Sequence, residues 1–244
     1  MARNKLAKFA ELETFPNVIQ PTMEEALGGF SELKGNWHTQ IFKNKKPIVL
    51  ELGCGMGEYT TALAKHFPEN NYIGIDIKGA RLYHGARLAL KEKLTNVAFM
   101  KTRVEFIKSF FAPGEVSEIW LTFSDPQPKF AKKRLMSAFY NEIYASISKP
   151  EAIIHVKTDS LLLYDYTLDI VKKNKLNLLF ETENLYQLPE IAPYLHEKTK
   201  YEGMAIGHGK PITYVNYSLS SKSQFVEPLN ERAYRQYVRA YDAK

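Results

Sequence analysis

The segment Glu51-Leu-Gly-Cys-Gly-Met-Gly57 constrains this chain more than any other. Before it, Lys46-Pro-Ile-Val-Leu-Glu51 is a short apolar run of strand type. After it, Tyr59, Leu63, Ala64 and Phe67 recur at helical spacing, and Pro68 closes the pattern. The glycines therefore join a buried strand to the start of a helix. Glycine tolerates positive φ and lets a ligand come close to the backbone. The helix start adds free N–H groups and the positive end of a dipole.

A dinucleotide fingerprint would read G-x-G-x-x-G with a pyrophosphate on the helix end. Here Gly53, Gly55 and Gly57 alternate, so the third glycine comes one residue early. Glu51 stands just before the turn and would repel a pyrophosphate, but it suits a cationic ligand. The next strand, Asn71-Tyr-Ile-Gly-Ile-Asp-Ile77, carries Asp76 near its carboxyl end, where an acid can accept hydrogen bonds from both ribose hydroxyls. The pattern points to a nucleoside site for a positively charged ligand.

From Pro47 onward, strand and helix patterns alternate. The spacing predicts strands at 48–52, 71–77, 97–101, 118–123, 152–158, 176–181 and 212–219. Helices are predicted near 58–66, 79–93, 103–110, 132–147 and 160–174. Such alternation implies an α/β fold, a mostly parallel seven-stranded sheet with helices on both faces. Ligands in such sheets lie beyond the carboxyl ends of the strands. Glu51, Asp76, Asp125 and Asp159 all fall at or just past such ends. The expected organisation is an N-terminal extension over 1–45, without clean periodicity, and one domain over 46–244. Residues 186–209 read as a loop with a short helix. Tyr234, Tyr237, Val238 and Tyr241 are spaced for a short C-terminal helix.

The strand Ile119–Phe123 runs into Ser124-Asp-Pro-Gln-Pro-Lys129. Its two prolines stiffen the loop and present Asp125 rigidly, with Lys129 four residues on. His155-Val-Lys-Thr-Asp159 ends the following strand. His155 lies inside it and reads as a packed residue rather than a base. The six histidines lack metal-like spacing, so no metal is expected. The single cysteine, Cys54, excludes an intrachain disulfide and fits a reducing cytoplasm. No secretory signal and no membrane span are visible. The formal charge of +6 favours an anionic partner. Its distribution says more, because Lys43, Lys45 and Lys46 precede the first strand and Lys129, Lys132, Lys133 and Arg134 follow the Asp-Pro motif.

With these motifs in order, the chain resembles the bacterial tRNA (guanine-N7-)-methyltransferase family from about Asn36 to Leu219. Gly35-Asn-Trp37 and Phe42 resemble its lead-in. The segment 51–57 resembles its donor loop, and Ile73-Gly-Ile-Asp76 its second acidic strand end. Phe123–Lys129 resembles its most distinctive motif. Lys157-Thr-Asp159 and Thr199-Lys-Tyr-Glu202 resemble its late substrate motifs. The resemblance implies a Rossmann-like methyltransferase that uses S-adenosylmethionine on the guanosine at position 46 of the tRNA variable loop. Glu51, Gly53, Gly55, Asp76, Arg103 and Asp125 would hold the donor, with Asp125 catalytic. Lys129, Asp159, Thr199, Lys200, Tyr201 and Glu202 would contact tRNA. The oligomeric state, monomer or homodimer, is left open.

Two departures from the family pattern stand out, one in the Asp-Pro loop and one after the third strand. Gln127 stands where a tryptophan is usual, and Phe130 and Ala131 interrupt the basic run after Lys129. Arg103 stands where an acid usually meets the adenine, and a guanidinium cannot accept a hydrogen bond from the adenine amino group. Alternatives that keep these residues are a methyltransferase for another RNA or a small molecule, and a non-catalytic RNA-binding homologue.

Overall fold

The computed structural model describes residues 2–219 and 224–228. The C-terminal helix read from Tyr234 to Tyr241 lies outside them. The elements, in chain order, are α1 (Ala2–Leu12), β1 (Val18–Ile19), α2 (Met23–Gly28), β2 (Ile48–Leu52), α3 (Glu58–His66), β3 (Asn71–Asp76), α4 (Gly79–Lys91) and β4 (Val97–Lys101). Then come β5 (Val116–Thr122), α5 (Ala138–Ile147), β6 (Ser148–Thr158), α6 (Leu161–Asn174), β7 (Asn177–Thr182), α7 (Lys200–Gly207) and β8 (Thr213–Ser218). Short 3-10 turns cover Val104–Ser109 and Ala131–Lys133.

One sheet runs in the order β1-β4-β3-β2-β5-β6-β8-β7. It has eight strands rather than seven, because Val18 and Ile19 pair in parallel with Phe99 and Met100 at the edge. β8 is antiparallel to both β6 and β7, and the other pairings are parallel. The chain winds outward from β2 to β3 and β4, then crosses back to place β5 on the other side of β2. The carboxyl ends of β2 and β5 thus border a topological switch point, where such sheets bind ligands.

Strand period divides the interior into two layers. Ile48, Leu50 and Leu52 face one layer with Trp37, Tyr144 and Tyr166. Val49 faces the other with Leu12, Tyr59, Leu82 and Phe99. The N-terminal residues supply part of both. Trp37 is fully buried, stacks on Phe111 and donates its indole N–H to the Phe110 carbonyl at 2.9 Å. Within the same stretch, Thr22 and Glu25 form a reciprocal capping box that starts α2.

In the second layer α4 packs closely on the turn after β2. A Cβ at Gly57 would stand 2.5 Å from the Phe99 ring, and one at Gly85 would stand 2.7 Å from the Met56 carbonyl oxygen. The helix, the turn and the strand-borne ring meet at this contact with no room for a methyl group.

Candidate active site

The glycine turn leaves β2 with the N–H groups of Gly53 and Cys54 both donating to the Ile75 carbonyl, at 2.8 and 3.0 Å. Asp76, at the end of β3, takes the Gly55 N–H on Oδ2 at 2.9 Å and the Lys78 N–H on Oδ1 at 2.7 Å. The carboxylate thus clamps the turn to the neighbouring strand and keeps lone pairs for a ligand. Gly55 has φ 57°, and a Cβ there would enter open space. That space is a cleft of about 480 Å³ whose wall includes Gly53, Gly55, Asp76, Asp125, Lys133 and Tyr201.

Glu51 does not line this cleft. It is buried beneath the turn, where its carboxylate accepts hydrogen bonds from the Thr60 and Thr122 hydroxyls. Burial pushes its pKa up to about 7 against the opposing effect of the two hydroxyls. Glu51 therefore ties α3 and β5 together under the loop. Cys54 is buried beside it, and burial, with the carboxylates of Glu51 and Asp76, pushes the thiol pKa up. Such a thiol is a packing residue and not a nucleophile.

A second hollow of about 250 Å³ adjoins the cleft and shares Gly53, Asp76, Ile77 and Leu135 with it. Arg103 lines this hollow, and its guanidinium pairs with Glu105 Oε1 at 2.9 Å. An acid is present in the hollow after all, two residues beyond the position where the sequence offers Arg103.

On the opposite rim, Asp125 is exposed and lines the cleft, and its Oδ1 accepts the Gln127 N–H at 3.1 Å. Phe123 and Gln127 flank it at φ 48° and 46°. Two non-glycine residues in this region cost on the order of 1–3 kcal/mol each. Arg134 holds the loop from inside. Its Nε donates to the Pro126 carbonyl at 2.8 Å and its Nη2 to the Gln127 carbonyl at 3.1 Å. Arg134 is fully buried, so it leaves the basic surface cluster in which the sequence places it. Lys129 is exposed and does not line the cleft, whereas Lys133 does.

The third wall comes from α7. Thr199 caps this helix by accepting the Glu202 N–H at 3.1 Å, and Thr199 and Tyr201 face the cleft. The Lys200 N–H donates to Glu58, whose side chain also lines the cleft. Arg81, from α4, lies over the Tyr201 ring at 5.7 Å. Glu202 turns inward. Its Oε1 pairs with Lys157 Nζ at 2.9 Å, both side chains fully buried, and accepts the Tyr186 hydroxyl at 2.5 Å. The Lys157 ammonium also donates to the carbonyls of Leu195 and Glu197. Asp159, past the end of β6, is outside the cleft and pairs with Lys210 at 3.0 Å. His155 is buried, stacked on Trp120 at 3.9 Å and hydrogen-bonded to Tyr214, as a packed residue would be.

The fold thus gathers Gly53, Gly55, Asp76, Asp125, Thr199 and Tyr201 around one cleft. Glu51 and Glu202 stand behind its walls. Lys133, Arg81 and Glu58 join it without having been singled out as site residues. Lys157 carried a usable signal, because a lysine within a buried strand requires a partner. No cluster of metal-ligating side chains occurs among the described residues, and no helix there is long and apolar enough to cross a membrane.

A doubly wound sheet with a glycine turn and an opposing Asp-Pro loop at its switch point defines a Rossmann-like methyltransferase. A family model described as a putative methyltransferase matches residues 45–215. The tRNA (guanine-N(7)-)-methyltransferase of Bacteroides thetaiotaomicron is 44% identical over 98% of this chain and 96% of its own length. That of Christiangramia forsetii is 46% identical over 89% of this chain and 99% of its own. The chain belongs to the tRNA (guanine-N(7)-)-methyltransferase family. Among solved structures, the 16S rRNA methyltransferase KamB superposes with a TM-score of 0.59 at 14% identity, covering 78% of this chain and 94% of KamB, a likeness of fold alone.

Proposed function

We propose that this protein transfers a methyl group from S-adenosylmethionine to N7 of the guanosine at position 46 of tRNA, in the cytoplasm. The observation that carries this reading is the meeting of two unlike rims in one cleft. One is an open glycine floor clamped by Asp76. The other is a strained, internally braced loop that presents Asp125.

The residues fit the donor. Open space above Gly55 admits a ligand against the backbone, and the carboxylates of Asp76, Asp125 and Glu58 suit a cation. Asp76 would take the ribose hydroxyls, and the hollow lined by Arg103 and Glu105 would receive the adenine. There Glu105 offers the acceptor oxygen that a guanidinium lacks. Glu51 supports this side from beneath. When bound, the donor supplies an electrophilic methyl group.

Guanine N7 carries a lone pair and no proton, so no general base has to create the nucleophile. The remaining demand is placement in line, which supplies much of the acceleration in such reactions. Asp125 orients both partners and stabilises the positive charge that develops on the base. Lys129, Lys133, Thr199, Lys200 and Tyr201 would hold the RNA around the target nucleotide, with Asp159 at the margin. Glu202 acts through Lys157 to set the shape of that wall.

Incubation of a bulk tRNA pool with methyl-labelled donor, followed by mapping of the label, tests the reading. The expected product is 7-methylguanosine at position 46. Label on another base, or only on small acceptors, overturns it.

A second test addresses the glycine floor. Gly55→Val places a branched side chain in the cleft at positive φ, with a fold penalty of about 1–2 kcal/mol. Donor affinity measured by calorimetry should fall roughly tenfold or more, equivalent to about 1.4 kcal/mol. Wild-type affinity in a folded variant would exclude Gly55 from the donor floor.

A further inference from the structure

We infer that the outer face of α4, with α1 beside it, is a track for the phosphate backbone of the tRNA beyond the target nucleotide. This rests on the proposed tRNA activity and adds a surface to it. Lys78 and Arg81 line the cleft at the start of the helix. His84, Arg87 and Lys91 follow on the same face, at the three- and four-residue steps that align side chains along a helix. Together with Lys8 from α1, these last three line a groove of about 560 Å³. The 13 residues of α4 span about 20 Å, the length of several nucleotides and far more than one base needs.

Two of the groove's cations are held in place. Lys8 and Arg87 lie over the Tyr83 ring at 5.4 and 5.9 Å, and Arg87 donates to the Tyr83 hydroxyl at 3.2 Å. Lys8 Nζ lies 3.1 Å from His84 Nε2. Burial and the Lys8 ammonium hold the imidazole below the usual histidine range, which favours the neutral ring as acceptor of that bond. Carboxylates border the track as well, among them Asp76 and Asp125 where it meets the cleft. Glu11 accepts the Tyr83 hydroxyl at 2.7 Å, and Glu58 accepts the Lys200 N–H at 3.1 Å. Among the described residues the groove therefore offers three cations, Lys8, Arg87 and Lys91, against the one carboxylate of Glu11. The same helix lines the cleft with Lys78 and Arg81 and the groove with His84, Arg87 and Lys91, which selects the RNA bound in the cleft over an unrelated anionic partner.

The test is the salt dependence of tRNA binding by the full-length protein. Arg87→Gln/Lys91→Gln removes two exposed charges. Lys172→Gln/Lys173→Gln, at the end of α6 on the opposite layer, removes two others as a control. Each lost phosphate contact flattens the slope of log K against log salt by about 1 and weakens binding to all tRNA sequences alike. The α4 variant should show a slope flatter by about one to two and a tRNA KM raised roughly tenfold, with donor affinity unchanged. The control should match wild type. Equal slopes in the α4 variant and wild type overturn the track, as does a loss seen only for anionic vesicles and not for tRNA. Failure of the wild type itself to methylate tRNA would instead defeat the proposed activity.

Discussion

Asp125→Asn should slow single-turnover methylation by roughly a hundred- to a thousandfold, the usual consequence of losing one preorganised electrostatic partner. The substitution isolates charge from shape. The Asp125 Oδ1 that accepts the Gln127 N–H is kept as an amide oxygen, so the turn that orients the loop survives. The braces from Arg134 reach backbone carbonyls and are untouched. What is lost is the negative charge on the cleft side. Saturating donor and tRNA in a single turnover separate this step from binding. A wild-type rate would reduce Asp125 to a scaffold of its own loop.

Lys157→Met should destabilise the fold by about 3–5 kcal/mol, because it strands a buried carboxylate. The Lys157 ammonium has three acceptors, Glu202 and the carbonyls of Leu195 and Glu197, and none of it reaches solvent. The Glu202 carboxylate would keep the Tyr186 hydroxyl as its hydrogen-bond donor. The double variant Lys157→Met/Glu202→Leu should recover part of the loss, since a buried ion pair exchanged for apolar groups often costs little. Urea denaturation of the two variants measures both effects. A loss below about 1 kcal/mol in the single variant, the value of a typical surface pair, would show that the pair does not hold the α7 wall.

Much of this architecture was legible in the sequence, for identifiable reasons. β2, β3 and β4 are compact apolar runs ended by glycine or a charged residue, and they fall within a residue of the sequence reading. The helix over 58–66 begins at the glycine turn and ends before Pro68, as its punctuation demands. β1 was missed because two residues cannot show alternation. α2 was missed as well, because its six residues lie between Pro21 and the pair Gly28-Gly29, too short a run to show helical period. Within the site, strand-end acids were found because period and position place them. What the sequence could not reveal was direction. Glu51 and Asp76 both flank the turn, yet only the fold shows one beneath it and the other beside the cleft. Arg134 reads as one more surface cation until its carbonyl partners are seen. Lys157 and Glu202 are too far apart in the chain for pattern to pair them.

The contact between Gly57, Gly85 and the Phe99 ring has a consequence for transplantation of the donor loop. Residues 51–57 look like a portable cassette, since the turn and its acid are contiguous. Their shape, however, is moulded from behind by a ring on β4 and a gap in α4, more than 25 residues further along the chain. A host scaffold that received the cassette without a matching ring and helix gap would let the turn relax or force the helix away. The portable unit runs from Glu51 through Phe99, taking in both intervening helices, and its three contact positions can change only together.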